Sequence, residues 1–129
     1  MKSVFLSLTV LTVFVFASEN DTTLSFEATE GTLISVDVSP NGKTIAFDLL
    51  GHIYLMPSNG GKAEAITKGS SWNMFPRFSP NGEKILFTSD RGGSDDLWVQ
   101  NIKTGNIKNV SIMDIPVHQG TWSIDGKHV

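Results

Sequence analysis

An all-β fold built from repeated units of four short antiparallel strands is predicted by three features of the sequence. A turn sequence recurs at near-constant spacing: Ser39-Pro40-Asn41-Gly42-Lys43, then Ser79-Pro80-Asn81-Gly82-Glu83-Lys84 forty residues on, then a decayed Ser123-Ile124-Asp125-Gly126-Lys127 another forty-four on. The residues around these turns alternate apolar and polar with the period of two that a half-buried strand requires. No stretch beyond residue 17 carries an apolar stripe at helical spacing. A period of 40 to 44 residues holding four antiparallel strands is the signature of a β-propeller blade. A sandwich of similar strands is the alternative, but it does not require one turn sequence three times at such even spacing.

The elements follow in chain order. Met1 and Lys2 give a short positive end, and Val4 to Phe16 are thirteen uncharged residues, too few to span a bilayer, which takes about 20. Val15 and Ala17 occupy the −3 and −1 positions of a small-residue cleavage site before the polar Ser18-Glu19-Asn20-Asp21. Residues 1–17 therefore read as a secretory signal cut between Ala17 and Ser18, with a first buried strand as the alternative, and residues 18–28 as a lead. The first blade occupies residues 29–69. Leu33 to Ser39 sets Leu33, Ser35 and Asp37 on one face and Ile34, Val36 and Val38 on the other. Asn41-Gly42 is a hairpin signal in which both residues tolerate positive φ, and Pro40 fixes the entry. Lys43 to Leu49 is the second strand, His52 to Met56 the third, Asn59-Gly60-Gly61 a tight turn, and Lys62 to Thr67 the fourth.

The second blade occupies residues 70–113 and a partial blade residues 114–129, about two and a half blades in all. The offset grows from forty to forty-four through one insertion, Ser89 to Ser94, which the first unit shortens to Asp48-Leu49-Leu50-Gly51. Closed propellers have about four to eight blades, so the chain reads as a truncated product or a partial sequence. The outer faces of both blades are then expected to lie bare, with Ile45, Phe47, Tyr54, Ile85, Phe87 and Trp98 short of burial and the fragment prone to self-association.

Composition narrows the function classes. With 10 Lys plus Arg against 13 Asp plus Glu and no clustered basic residues, the chain lacks the electrostatic footprint of a nucleic-acid or anionic-lipid binder. Removing Lys2 with the signal leaves 9 basic against 13 acidic residues, a mature charge of about −4. The absence of Cys excludes disulfides, thiolate metal sites and Cys nucleophiles. His52, His118 and His128 form no His-x-His or His-Glu-x-x-His set, and no Gly-x-Ser-x-Gly elbow is present. No catalytic residue, metal ligand or cofactor is therefore expected in this chain. The acidic run Asp90 to Asp96 lacks the alternating ligands of a calcium loop and reads as a solvated hairpin in which Arg91 partly neutralises its neighbours. Asn20-Asp21-Thr22 and Asn109-Val110-Ser111 fit a glycosylation sequon, which matters only in a host with that machinery.

Val38 to Phe47 and Pro76 to Asp90 resemble the repeats of TolB-type propellers, and the likeness runs from about Thr29 to the C-terminus. Such repeats occur in periplasmic TolB, in the propellers of tricorn-like and prolyl-oligopeptidase-like serine peptidases, and ahead of large exported amidohydrolases. Glu30-Gly31-Thr32, Phe47-Asp48-Leu49-Leu50-Gly51 and Trp72-Asn73-Met74 before Pro76-Arg77-Phe78 look most like the amidohydrolase-linked version. The resemblance implies a periplasmic or secreted module whose partner is a downstream catalytic domain or an envelope protein. In those amidohydrolases the metal ligands lie in a separate barrel, and no residue here matches them. Trp72, Met74, Phe75 and Arg77 are the candidate binding residues, because the segment entering a blade's innermost strand reaches the channel mouth. Packing between blades is the competing role for these large side chains.

Overall fold

The computed structural model describes residues 33–111 and 115–129, so the signal at 1–17 and the lead at 18–28 lie outside the described residues. Eight strands follow one another: β1 Val36–Val38, β2 Thr44–Leu49, β3 His52–Pro57, β4 Glu64–Ala65, β5 Asn73–Phe78, β6 Lys84–Ser89, β7 Asp96–Asn101 and β8 Ile107–Asn109. They form two four-stranded antiparallel sheets, β1-β2-β3-β4 and β5-β6-β7-β8, each a meander with chain neighbours side by side. This is the four-stranded blade that the repeat predicts, made twice.

Local chemistry sets the strand ends. β1 is shorter than the expected Leu33 to Ser39, because Leu33 turns left-handed at φ 57° and the Ser35 amide donates to the Asp48 carboxylate at 2.9 Å instead of to a ladder carbonyl. The fourth strand narrows from Lys62–Thr67 to Glu64–Ala65. Gly60 and Gly61 bend its start, and at its end the Thr67 hydroxyl, not a backbone carbonyl, accepts the Ile53 amide at 2.9 Å.

The recurring turn has one construction in all three copies. The Gly42 amide returns to the Ser39 carbonyl at 2.8 Å with Gly42 at φ 70°, while the Asn41 side chain accepts from the Ser39 hydroxyl and the Lys43 amide. Only the glycine of the Asn-Gly pair is left-handed; Asn41 serves through its carbonyl oxygen. Ser79-Asn81 repeats these bonds, and in the decayed copy Asp125 takes the asparagine's place, accepting from Ser123 and Lys127. A Cβ on Gly82 would stand 3.4 Å from Pro40, and one on Gly126 would stand 3.3 Å from Pro80. Each turn's proline is thus seated on the next turn's glycine.

The sheets stack face to face. Ala46 and Ile53 from the first sheet meet Phe78, Ile85 and Phe87 from the second in one buried cluster, with Leu55, Ile66, Trp98 and Ile102 around it. Polar clasps cross the junction: the Asp37 carboxylate accepts from the Phe78 amide at 2.7 Å, Asp48 from the Phe75 amide at 2.8 Å, and the Ile66 carbonyl from the Gln100 side chain at 2.8 Å. Ile85 and Phe87 are accordingly fully buried, which corrects the expectation that the second blade lies bare. Its far side is covered too, over Leu86, Thr88 and Leu97. There the Thr88 hydroxyl donates to the His118 carbonyl at 2.7 Å, and the Trp122 indole donates to the Arg77 carbonyl at 3.1 Å. The expectation holds for the first blade, whose Val36 and Val38 remain about half exposed.

Candidate binding face

The turn between β2 and β3, the segment leading into β5 and the turn between β6 and β7 share one end of the two sheets. Leu49 pairs with His52, so Leu50 and Gly51 alone make the β2–β3 turn, both at positive φ (50° and 78°). That is the mirror-image turn which matches strand twist, and a leucine in its first position is unusual. Leu50 is exposed, and the Trp72 ring lies flat enough on Gly51 that a Cβ there would sit 2.9 Å from the ring. Trp72 itself is 52% exposed, held by its amide's hydrogen bond to Asp90 at 2.8 Å.

Beneath Trp72, Asn73 is fully buried and closes a network. Its side-chain amide donates to the Gly51 carbonyl at 2.7 Å and to the Ser71 carbonyl at 2.8 Å, and its oxygen accepts from Arg91 at 2.6 Å. The Arg91 guanidinium lies over Phe87 (5.1 Å to the ring centre) and Trp98 (5.3 Å), and its Nε donates to the Ser89 hydroxyl at 3.0 Å. Burial pulls the Arg91 pKa below its ordinary value, and the charge of Asp90 partly opposes this. Arg91 is therefore a strut across aromatic rings as well as a counter-charge for the acidic hairpin, a role its neighbours in sequence do not disclose. At the same hairpin Asp95 pairs with His118 at 3.0 Å.

Of the residues marked in the sequence, Trp72 alone presents a large exposed apolar surface. Met74 is half-buried in the ladder opposite Thr88. Phe75 sits in the bulge between Met74 and Arg77, left-handed at φ 57°, with its amide clamped by Asp48. A bulky residue in that conformation costs about 1–2 kcal/mol, which the carboxylate bond offsets. Arg77 lies five residues along β5 from Trp72, about 16 Å at ordinary strand rise, and its carbonyl faces Trp122. The structure thus joins Trp72 to Gly51, the neighbour of Leu50 in the turn, and to Asp90, and separates Arg77 from them.

Asp37, Asp48 and Asn73 are working residues to which sequence reasoning gave no role, and Arg91 was read only as a counter-charge of its hairpin. Asp48 offered a signal: an acid within the apolar run Ile45-Ala46-Phe47-Asp48-Leu49 must find donors. Among the described residues no group of three or more His, Asp or Glu side chains gathers where a metal ion could sit, and no helix is long and apolar enough to cross a membrane.

Comparison with known proteins agrees with this architecture. The family model described as TolB beta propeller domain matches residues 10–129. Tricorn protease homolog 1 of Streptomyces coelicolor is 29% identical over 89 residues, covering 68% of this chain and 8% of that protein. The Tol-Pal system protein TolB of Wigglesworthia glossinidia brevipalpis is 40% identical over 47 residues, 36% of this chain and 10% of that protein. The crystal structure of TolB from Acinetobacter baumannii superposes with a TM-score of 0.65 at 28% identity, covering 76% of this chain and 26% of that one. The chain spans a tenth or less of the first two relatives and about a quarter of the third. With a family model matching nearly its whole length and two blades of the expected construction, the chain belongs to the TolB β-propeller family.

Proposed function

We propose that this chain is the interaction module of an exported hydrolase, a run of propeller blades that presents a binding face and leaves chemistry to another domain. The observation that carries this is the end surface around Trp72: exposed apolar Leu50 and Trp72 are fixed in place by left-handed backbone and by hydrogen bonds to Asn73 and Asp90. A surface held this rigidly loses little conformational entropy when a partner lands on it. The signal-like N-terminus supports export to the periplasm or the medium. Glu30-Gly31-Thr32 and Trp72-Asn73-Met74 favour an amidohydrolase as the parent, with a downstream catalytic domain as the partner.

Two other parents have support of their own. Similarity to a tricorn protease homolog favours a peptidase-linked propeller, and similarity to TolB favours an envelope protein-interaction propeller. The coding sequence beyond Val129 separates them. Further repeats running into a barrel with a His-x-His motif support the amidohydrolase, a serine-peptidase core supports the second parent, and a stop after about six repeats supports the third. The binding face is tested apart from the parent. Immobilised chain should retain a partner from an envelope extract, and Trp72→Ala with Leu50→Ser should lower retention at least tenfold; equal retention removes this face from the account.

A further inference from the structure

Asparagine precedes glycine three times, at Asn41-Gly42, Asn59-Gly60 and Asn81-Gly82, and all three pairs sit in the same backbone turn. In each the glycine is left-handed and its amide donates to the carbonyl three residues back: Gly42 to Ser39 and Gly82 to Ser79 at 2.8 Å, Gly60 to Pro57 at 3.1 Å. All three asparagines are exposed. Their side chains are held differently. Asn41 Oδ1 accepts from the Ser39 hydroxyl at 2.8 Å and the Lys43 amide at 3.0 Å, and Asn81 Oδ1 from the Ser79 hydroxyl at 2.7 Å and the Glu83 amide at 3.1 Å. Asn81 Nδ2 also donates to the Glu83 carboxylate at 2.9 Å. In the Asn59 turn a proline, Pro57, stands where the other two have serine, and the nearest hydroxyl, that of Ser58, donates instead to the Gly42 carbonyl at 2.7 Å. The Asn59 side chain makes no hydrogen bond to another described residue, and Gly60 is wider open at φ 91° than Gly42 at 70° or Gly82 at 74°.

An asparagine side chain ahead of glycine is open to attack by its own main chain, because glycine has no Cβ to obstruct ring closure. The reaction needs the side-chain carbonyl carbon free to swing onto the glycine nitrogen, and that nitrogen free of its hydrogen bond. We propose that Asn59 is a self-modification site, converting to aspartate and isoaspartate in the folded chain while the Ser-Pro-Asn-Gly turns protect Asn41 and Asn81. The Gly60 nitrogen bonds to Asn59 Cγ, the Cγ–Nδ2 bond breaks, and Nδ2 leaves as ammonia with the proton that the Gly60 amide gives up. Water then adds to either carbonyl of the cyclic imide. Breaking the new Cγ–N bond leaves aspartate, and breaking the original peptide bond leaves isoaspartate; nothing is oxidised or reduced. In the other two turns the side chain must first surrender both bonds on its oxygen, so fewer of its conformers reach the glycine nitrogen.

The inference rests on turn chemistry and stands apart from the hydrolase reading. Its product alters the chain at a defined place. Residue 59 gains a carboxylate, and the isoaspartate form lengthens by a methylene the backbone that enters β4, a strand of two residues. The same turn is tied to the first repeat's turn, the Ser58 amide donating to the Lys43 carbonyl at 3.0 Å.

The test follows the full chain, as purified from the expressing cell, in mildly alkaline buffer at body temperature. Samples are digested in acid, and peptide mass spectrometry with chromatographic separation of aspartate from isoaspartate reads each of the three positions. In the folded chain residue 59 should convert at least tenfold faster than residues 41 and 81. In chain held unfolded in urea the three should convert at rates within about threefold, since the dipeptide is the same and the turns are gone. Pro57→Ser restores the missing hydroxyl and should slow conversion at 59 severalfold, whereas Ser39→Ala should speed conversion at 41 and leave 59 as it was. Circular dichroism checks that each variant is folded; Pro57→Ser, at an exposed position, carries the test if Ser39→Ala is not. Conversion at 41 or 81 as fast as at 59 in the folded chain, a folded chain intact at 59 while its unfolded form converts, or an unchanged rate at 59 in Pro57→Ser would each overturn the proposal.

Discussion

Replacing Asp48 by alanine should cost this chain about 3–6 kcal/mol, a large share of the roughly 5–15 kcal/mol that holds a typical domain together. The figure comes from the two backbone amides the buried carboxylate accepts, Ser35 at 2.9 Å and Phe75 at 2.8 Å. Each is a charge-assisted bond worth about 1.5–3 kcal/mol, and alanine leaves both donors without a partner. One of them enters β1 and the other holds the left-handed Phe75 at the bulge in β5, so the loss falls on the strand and on the junction together. Asp48→Asn retains one acceptor oxygen and should cost about half as much. Thr88 occupies the equivalent position forty residues on and makes one neutral bond, to His118; Thr88→Ala should cost only about 1 kcal/mol. Urea unfolding followed by tryptophan fluorescence measures all three, and amide exchange should show protection lost at Ser35 and Phe75 in Asp48→Ala. An Asp48→Ala chain within 1 kcal/mol of wild type, or an asparagine variant as damaged as the alanine one, would refute the clasp.

Further expectations concern turns, pH, export and chemistry. Gly42→Ala should cost about 1–2 kcal/mol for its left-handed backbone alone, whereas Gly51→Ala should cost more and shift tryptophan emission, because its methyl meets the Trp72 ring at 2.9 Å; equal urea midpoints would contradict this. The Asp125 carboxyl is held below its ordinary value, first by the Ser123 hydroxyl and then by the Lys127 amide. A depressed carboxyl stabilises the turn above the unfolded value of about 3.9 and ceases to do so as pH falls through the lower folded value. Exchange at Lys127 and His128 should therefore accelerate, beyond its intrinsic pH dependence, only in acid below about pH 4, and Asp125→Asn should abolish that step. Expressed with its own N-terminus in a Gram-negative host, the protein should reach the periplasm beginning at Ser18; cytoplasmic retention with Met1 intact would end the export reading. The purified chain should hydrolyse no peptide, amide or ester with or without zinc, and turnover abolished by changing His52 or His118 would overturn this.

The strand order, the turn sites and the repeat were legible because each rests on local chemistry. Ser-Pro-Asn-Gly fixes a turn wherever it stands, and alternation at period two persists however the sheets are placed. What the sequence concealed depends on which face meets which. Ser35 and Asp37 lie on the polar face of the first strand as predicted from the sequence and read as solvent-facing, yet Asp37 points across the junction to the Phe78 amide, while Val36 and Val38 lie half exposed. In a propeller both faces of a blade are contacts, so polarity no longer tells inside from outside. The bracing role of Arg91, read in the sequence only as a counter-charge, was hidden for a related reason, since its aromatic platform and Asn73 come from the strands around it. The candidate face was legible at Trp72, a large apolar residue in a connecting segment. Leu50 was placed in the shortened turn but not marked as a binding residue, because a leucine does not announce a left-handed turn.

The stacking of successive repeats through their turns is the claim on which the rest depends, and one nuclear Overhauser experiment on the full chain reaches it directly. If each proline sits on the next glycine, cross-peaks should join the Pro40 Hδ protons to the Gly82 Hα protons, and Pro80 Hδ to Gly126 Hα, at comparable intensity. Both peaks together would establish two consecutive junctions of one construction, as propeller blades require. Their absence from an otherwise assigned and folded chain, with the Asn41 and Asn81 turns intact, would show that the sheets do not stack in blade register, and would restore the sandwich.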